Sequence, residues 1–207
     1  MPDTTLQIAQ IVPVTQAEGP GSRFAIWVQG CPLRCPGCCN PEMLKFEGGE
    51  AIQVASLIKQ IVDVAKDKGS IEGITLLGGE PFSHAQGLGL IAKAVQEHGL
   101  TVMIFSGFVI EELREKKDPA IDLLLEHTDI LVDGPYVREQ PDESRRWIGS
   151  ANQRIHFLSD RYNETNARWD RKDTLEIRLK GNELTVNGFP AKGAVGVWKR
   201  PKVSRKT

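Results

Sequence analysis

Four cysteines stand within nine residues of this sequence, at Cys31, Cys35, Cys38 and Cys39, and the chain contains no others. Because no distant cysteine remains to cross-link the fold, these thiolates are suited to converging on one metal ion or iron–sulfur cluster. The first three follow the spacing C-x3-C-x2-C. Three thiolates can hold three irons of a 4Fe–4S cube and leave the fourth iron for an exogenous ligand. The spacing therefore predicts a metal site with one reactive position.

The residues around these thiols refine the prediction. Two prolines and a glycine between them favour turns, which lets the sulfurs of this cysteine loop (residues 31–39) face inward. Arg34 is either a cation that stabilises an anionic cluster or an exposed loop cation. Cys39 follows Cys38 directly, so we expect its side chain to point elsewhere and to serve as a small buried residue rather than a ligand.

The elements that position the cysteine loop alternate between strands and helices. Helical spacing of apolar residues predicts amphipathic helices, and short apolar runs predict buried strands. The expected strands are residues 6–14, 24–29, 73–77, 100–105, 130–133 and 155–158, and the expected helices are residues 50–67, 85–97, 110–116 and 120–127. This alternation predicts βαβ units, an α/β fold and a parallel sheet.

Glycine or polar residues follow four of the predicted strands. These segments are the cysteine loop and residues 78–81, 106–107 and 133–135. In parallel sheets, functional loops gather at the carboxyl ends of the strands. We therefore expect the four segments to meet at one edge of the sheet, called the rim below.

The C-terminal part has a different character. Residues 174–179 and 184–187 alternate in type around a turn and predict a β-hairpin. From residue 191 onward the chain has six basic residues and no acidic ones, which favours a solvated end over a docking segment for an acidic partner. We expect a core at residues 1–170, a hairpin appendage at 171–190 and a basic tail at 191–207.

Composition restricts the partners. A formal net charge of −1 over 207 residues gives no reason to expect nucleic acid or an anionic membrane as a partner. The first ten residues lack the basic flank and apolar stretch of a signal peptide, and no run approaches transmembrane length. We therefore expect a protein of the reducing cytoplasm, where clustered cysteines are ligands more often than disulfides.

The cysteine spacing, followed by a strand that ends in Gly78-Gly-Glu-Pro81, resembles the radical S-adenosylmethionine (radical SAM) superfamily. Several shorter segments are similar to glycyl-radical activating enzymes, and in particular to the anaerobic ribonucleotide reductase activating enzymes. Their order and spacing strengthen the resemblance, which covers most of the chain. The segments are residues 19–23, 29–31, 105–108, 111–113, 133–136 and 149–154.

This resemblance implies a partial (β/α) barrel of radical SAM type with the hairpin as a small extension. It implies a 4Fe–4S cluster whose open iron is chelated by the amino and carboxylate groups of S-adenosylmethionine (SAM). Reductive cleavage would then give a 5′-deoxyadenosyl radical that abstracts hydrogen, with flavodoxin or ferredoxin as the kind of electron donor. The expected outcome is a glycyl radical on a partner enzyme such as anaerobic ribonucleotide reductase.

The resemblance also implies roles for individual residues. Cys31, Cys35 and Cys38 are the expected cluster ligands. The residues expected to bind the cofactor are Gly78, Gly79, Glu80, Pro81, Ser106, Asp133 and Asn40. No catalytic residue is expected beyond the cluster.

Among the cofactor residues, the two glycines would allow close backbone approach to the methionine end, and Glu80 would orient its ammonium. Ser106 and Asp133 would contact the carboxylate or the ribose, and Asn40 the nucleoside side. Each polar residue has a structural alternative: Glu80 as an exposed carboxylate at a strand end, Asp133 as part of a generic turn, and Asn40 as a loop-capping amide. Residues 149–154 form either a strand-entry loop or part of a substrate rim.

Two departures leave other functions open. The family commonly has His after the third cysteine, where this chain has Cys39, and the hairpin extends beyond a minimal activating enzyme. One alternative is therefore a radical SAM enzyme that modifies a small molecule or peptide. Another is a zinc-binding interaction module that uses all four cysteines. The adjacent Cys38 and Cys39 disfavour it, because structural zinc ligands come in spaced pairs.

Overall fold

A seven-stranded sheet forms the centre of the chain, in the strand order β3-β1-β2-β4-β5-β6-β7. The computed structural model describes residues 4–67, 70–165, 169, 174–180 and 183–188. The strands of this sheet are β1 (Thr5–Thr15), β2 (Arg23–Val28), β3 (Glu50–Gln53), β4 (Gly73–Gly78), β5 (Thr101–Phe105), β6 (Ile130–Asp133) and β7 (Arg154–Phe157). The α-helices are α1 (Val54–Ala65), α2 (Ala85–Glu97), α3 (Ile110–Glu115) and α4 (Pro119–Glu126), and short 3₁₀ helices lie at Pro41–Met43 and Pro81–His84.

The four central strands, β2, β4, β5 and β6, run parallel to one another, as the alternation of strands and helices predicts. The prediction of a parallel sheet is wrong for the edges, where β1, β3 and β7 are antiparallel to their neighbours. The chain crosses from β1 to β2 without a helix, and short connections of this kind join antiparallel strands. The fold is therefore mixed α/β with a mostly parallel sheet.

Helix α2 has the predicted bounds, but the helix predicted from residue 50 begins only at Val54. The first four residues of that range form β3, which pairs with the start of β1. Three of these four residues are exposed, so the strand lacks the apolar alternation by which a sequence reveals a strand. The backbone ladder to β1, rather than helical periodicity, decides its conformation.

The two faces of the sheet bury different sets of side chains. The face under the helices carries the larger core, which includes Ile26, Leu76 and Ile104 from three neighbouring strands. The opposite face buries Met103, Ile130 and Val132 against Trp147 and Tyr162. The residues of the second set come from β5, β6 and the chain that follows β6. Trp27 and Trp147 are both buried.

A fully buried arginine joins the strands at the end of the sheet opposite the rim. Arg23 donates from Nε to Thr75 Oγ1 (3.2 Å) and from Nη1 to Thr101 Oγ1 (2.5 Å) and Tyr162 Oη (3.5 Å). Its Nη2 donates to the carbonyl of Ile74. Burial lowers the pKa of this guanidinium, and the hydrogen bonds offset part of its desolvation. Sequence reasoning missed this residue, because nothing local marks a buried arginine.

The predicted C-terminal hairpin is confirmed as β8 (Leu175–Lys180) paired with β9 (Glu183–Gly188). It lies against the end of β1: Thr15 Oγ1 donates to Glu176 Oε2 at 2.8 Å, and Gln16 N donates to Glu176 Oε1 at 2.7 Å. Asn187 Nδ2 donates to Thr15 Oγ1 at 2.9 Å and to Glu18 Oε1 at 3.1 Å. The hairpin thus contacts the sheet through polar side chains. The predicted basic tail at 191–207 lies outside the described residues.

Glu18 is buried under this hairpin. Burial raises the pKa of its carboxyl from 4.5 to about 7, and repulsion from the Glu176 carboxylate adds to the rise. The hydrogen bond from Asn187 and the charge of Arg178 act in the opposite direction without cancelling it. Because this pKa is higher in the folded chain than in the unfolded one, the folded chain retains a proton that the unfolded chain loses above pH 4.5.

We therefore expect the free energy of unfolding to fall by about 3 kcal/mol through Glu18 as the pH rises from about 4.5 to about 7. Glu18→Gln should remove this part of the slope in urea denaturation measured across that range. Glu80 also has a raised pKa, but it contributes equally to both proteins, so the difference isolates Glu18. The exposed Glu97→Gln serves as control, and identical slopes for wild type and Glu18→Gln would contradict the assignment.

Among the helices of the described part of the chain, none combines the length and the apolar character required to cross a membrane.

Candidate functional site

The ends of the four parallel strands meet at the rim, as the sequence predicts, and hydrogen bonds join neighbouring ends. Gly79 N donates to the carbonyl of Val28 at 2.8 Å, and Glu80 N donates to the carbonyl of Gly30 at 2.9 Å. These two bonds attach the end of β4 to the start of the cysteine loop. At the other side of the rim, Ser106 N donates to the carbonyl of Val132 at 2.9 Å. The structure thus brings all four predicted segments together.

The cysteine loop leaves the end of β2 and is held there by backbone hydrogen bonds. Cys31 N donates to the carbonyl of Leu44 at 3.2 Å, and Cys38 N closes a turn on the carbonyl of Cys35 at 3.1 Å. Cys31 is buried, whereas Cys35 and Cys38 are partly buried. Within the described ranges, no three side chains of the His, Cys, Asp and Glu types are arranged as a closed metal-binding group. The three predicted ligands all lie in this loop, which follows the end of β2.

The thiols differ in their electrostatic surroundings. Burial raises the pKa of Cys31. A hydrogen bond from the Cys39 thiol lowers the pKa of Cys38 to about 6, and the amide of Asn40, 3.4 Å from Cys38 Sγ, acts in the same direction. Cys38 therefore has more thiolate character than an isolated cysteine. The expectation that Cys39 is buried is wrong, because its side chain is exposed.

The two glycines after β4 allow the strand end to lie directly against β2 and the cysteine loop. Gly78 has φ +110°, a conformation that favours glycine, and a β-carbon there would lie 2.6 Å from Val28 N. A β-carbon on Gly79 would lie 2.2 Å from the carbonyl oxygen of Gly30. Close packing within the chain thus requires both glycines. Their predicted approach to a cofactor stays a prediction.

Glu80 is buried, so its alternative interpretation as an exposed carboxylate is wrong. Its Oε1 accepts from Phe82 N at 2.9 Å and from Ser106 Oγ at 3.0 Å, and its Oε2 accepts from Gly107 N at 2.9 Å. Burial raises the pKa of this carboxyl to about 7 against the effect of these three donors. Glu80 therefore joins the ends of β4 and β5. Pro81 begins the short helix that follows, and Phe82 is buried beside it.

Asp133 and Asn40 also make contacts within the chain. Asp133 is fully buried and accepts from Ile110 N at 2.8 Å and from Arg154. Burial alone would raise its pKa, but Arg154, the Ile110 amide and His156 together hold the pKa below its usual value. Asn40 Nδ2 lies 3.5 Å from the Gly78 carbonyl and connects the cysteine loop to β4. Whether Asp133, Ser106 and Asn40 also contact a cofactor stays a prediction.

Sequence reasoning missed the partners of Asp133. His156 Nε2 lies 3.0 Å from Asp133 Oδ2, and Arg154 bridges Asp133 to Glu111 of α3, with Nη2 at 2.6 Å from both carboxylates. The pairing of β6 with β7 places Asp133 opposite Arg154, and residue spacing along the chain does not reveal this pairing. The segment 149–154 leads into β7, as one of its two interpretations expects.

Residues 17–156 match the protein family described as "4Fe-4S single cluster domain". This range contains the cysteine loop and every predicted cofactor residue. The family match and the spacing of the thiols define the chain as an iron–sulfur protein of the 4Fe–4S class.

Curated relatives narrow that class. The anaerobic ribonucleoside-triphosphate reductase-activating protein of Escherichia coli (strain K12) is 33% identical over 154 residues, which cover 72% of this chain and 97% of the relative. The protein of the same name from Vibrio cholerae is 32% identical over 152 residues, 71% of this chain and 95% of the relative. A putative glycyl-radical enzyme activating enzyme of Haemophilus influenzae is 35% identical over 102 residues, 48% of this chain and 38% of the relative. The chain belongs to the family of anaerobic ribonucleoside-triphosphate reductase-activating proteins.

Proposed function

We propose that this chain is a radical SAM activating enzyme that installs a glycyl radical on a partner enzyme, most directly an anaerobic ribonucleotide reductase. The observation that carries the proposal is the joining of two segments at one rim. The loop with three suitably spaced thiols follows β2, and the Gly-Gly-Glu-Pro segment follows the adjacent parallel strand β4. The names of the relatives supply the reaction partner.

The residues at the rim suit the cofactors to which the family points, a 4Fe–4S cluster and SAM. Cys31, Cys35 and Cys38 would hold the cluster, since thiolates are the ligands that iron–sulfur clusters take and the spacing provides three of them. When bound, the reduced cluster and SAM supply one-electron cleavage of SAM and the radical that removes hydrogen. The glycine pair 78–79, which offers backbone without side chains, would receive the methionine end, with Glu80, Ser106, Asp133 and Asn40 as candidate neighbours.

The chain's own contribution would be to hold this site rigid and to exclude water. Trp27, Leu77 and Phe105 stand near the carboxyl ends of adjacent strands, on the face of the sheet that the helices do not cover. An apolar wall of this kind would limit quenching of a reactive intermediate. We propose that this face is the interior of a partial (β/α) barrel of radical SAM type.

The remaining parts of the proposal concern the surroundings of the enzyme. The one-electron step needs a donor, for which flavodoxin or ferredoxin is the expected chemical type. Thiols that serve as cluster ligands need a reducing compartment, so we propose that the enzyme works in the cytoplasm.

The test is anaerobic reconstitution with iron and sulfide. We expect a brown protein with about four irons per chain that cleaves SAM when reduced. A colourless protein that instead holds one zinc ion tightly would contradict the proposal. Cleavage is measured as methionine and 5′-deoxyadenosine formed per chain, with protein lacking added reductant as the control.

The C-terminal hairpin favours a second candidate function. The hairpin of β8 and β9 lies beyond residues 17–156, the range that the family match covers. An extension of this kind would suit a member of the superfamily that modifies a small molecule or peptide instead of a reductase. This alternative shares the cluster and SAM chemistry and differs only in the hydrogen donor.

A further inference from the structure

Two segments at the rim contact each other residue by residue. Asp133 pairs with Arg154 in the antiparallel ladder of β6 and β7, and continuing this register brings residues 134 and 135 opposite residues 153 and 152. Each of the three side chains at 152–154 contacts the residue opposite it. The contacts are Arg154 Nε to Asp133 Oδ1 at 3.0 Å, Gln153 Nε2 to the Gly134 carbonyl at 3.0 Å, and Asn152 Nδ2 to the Pro135 carbonyl at 2.8 Å.

Gln153 uses both ends of its amide. While its nitrogen donates to Gly134, its Oε1 accepts from Gly149 N at 2.9 Å and from Ser150 N at 3.1 Å. The Ser150 hydroxyl in turn accepts from Val137 N at 3.1 Å. One partly buried side chain therefore connects both arms of the chain excursion between β6 and β7.

Arg154 attaches these contacts to the helix layer. Arg154 also donates to Glu111 at the start of α3, from Nη1 to Oε1 at 3.0 Å and from Nη2 to Oε2 at 2.6 Å. The turn after Asp133 uses a backbone conformation that only glycine adopts readily, since Gly134 has φ +104°.

The loop of residues 133–138 contacts the cysteine loop. A β-carbon placed on Gly37 would lie 3.0 Å from Arg138 Cδ and 3.5 Å from its Cγ, so the stem of Arg138 lies against Gly37. Gly37 stands between Cys35 and Cys38. The 133–138 loop thus contacts the cysteine loop at a residue between two of the predicted ligands.

We propose that Asn152, Gln153 and Arg154 form a clamp that fixes the 133–138 loop and, through Arg138, the cysteine loop. Gln153 is then a positioning residue of the iron–sulfur site, although it touches none of the thiols. The proposal rests on the proposed function for its chemistry, but the contact between the two loops is a property of the chain itself.

The test compares Gln153→Ala with Gln96→Ala in cluster-loaded protein. Gln96 is a matched control, because its amide also bonds at both ends, to Asp129 at 3.3 Å and to His127 at 2.9 Å, away from the rim. Hydrogen exchange is measured by mass spectrometry, and the electron paramagnetic resonance (EPR) spectrum of the reduced cluster is titrated with SAM.

We expect Gln153→Ala to accelerate hydrogen exchange about tenfold or more at residues 134–138 and also at 35–38. The variant loses the hydrogen bonds of the Gln153 side chain, so both loops should open more often. The SAM concentration needed to change the EPR spectrum should rise about tenfold. Gln96→Ala should change neither observable. If Gln153→Ala does not fold, Asn152→Ala is the milder variant, because it removes only the exposed hydrogen bond to the Pro135 carbonyl. Hydrogen exchange and the SAM titration should change in the same direction as in Gln153→Ala.

Faster exchange confined to 134–138, with residues 35–38 and the SAM titration as in wild type, would overturn the proposal. So would equal effects from Gln96→Ala. Failure of the proposed function has a different signature: the wild-type spectrum would not respond to SAM, while the exchange difference between the two variants would remain.

Discussion

Replacing Cys31, Cys35 or Cys38 by alanine is expected to lower the iron content of reconstituted protein from about four per chain to near zero, because a cube held by two thiolates loses an anchor. Cys39→Ala is expected to keep about four, since an exposed thiol beside Cys38 is not needed as a ligand. Iron and sulfide are measured after anaerobic reconstitution, together with the visible absorbance.

Cys39→Ala is also the matched control, because it removes one thiol from the same loop. The same final iron content as in wild type is therefore expected for Cys39→Ala. Loss of the cluster in Cys39→Ala, or its retention in any of the other three variants, would contradict the ligand assignment.

Gly79→Ala is expected to have the second largest effect. Its new β-carbon would lie 2.2 Å from the carbonyl oxygen of Gly30, and backbone atoms cannot move aside as a flexible side chain can. The end of β4 and the cysteine loop must therefore separate, at a cost of about 1–3 kcal/mol or more in the free energy of unfolding. SAM affinity of cluster-loaded protein, measured by EPR titration, should fall at least about tenfold.

Variants at two other glycines serve as a control and as a milder form of Gly79→Ala. Gly89→Ala in α2 places its β-carbon 3.2 Å from the side chain of Leu123 and 3.4 Å from the backbone nitrogen of Leu124, which is much less crowded than at Gly79. Alanine also favours the helix, so we expect a small effect on stability. Gly107→Ala meets Leu33 Cδ1 at 2.4 Å and should have the same sign as Gly79→Ala with a smaller size, which preserves the test if Gly79→Ala does not fold. Wild-type stability and SAM affinity in Gly79→Ala would contradict the account.

Much of the fold was predictable because its signals are local. The apolar face of α2 and the short apolar run of β6 lie at the predicted positions, with the predicted bounds. Glycine or polar residues after four successive strands also made the rim predictable, since parallel strands carry their ends to one edge. The short polar strand β3 had no such signal, because its pairing with β1 depends on residues far away in the sequence.

The contacts at the site were less predictable, for the same physical reason. The sequence suggested that Glu80 and Asp133 have functional roles, but not that both carboxylates are buried and accept hydrogen bonds from distant segments. Burial of a carboxylate is stabilised only when donors meet it in three dimensions, and spacing along the chain does not reveal those donors. The exposure of Cys39 could not be read from its neighbours either.

The measurement that tests the central claim most directly is the EPR spectrum of an anaerobic ribonucleotide reductase incubated with the reduced, cluster-loaded chain and SAM. The account predicts a glycyl radical signal on the reductase that requires SAM and is lost with Cys35→Ala. No radical on the reductase, while the chain continues to cleave SAM, would contradict the account and leave modification of a small molecule or peptide as the function.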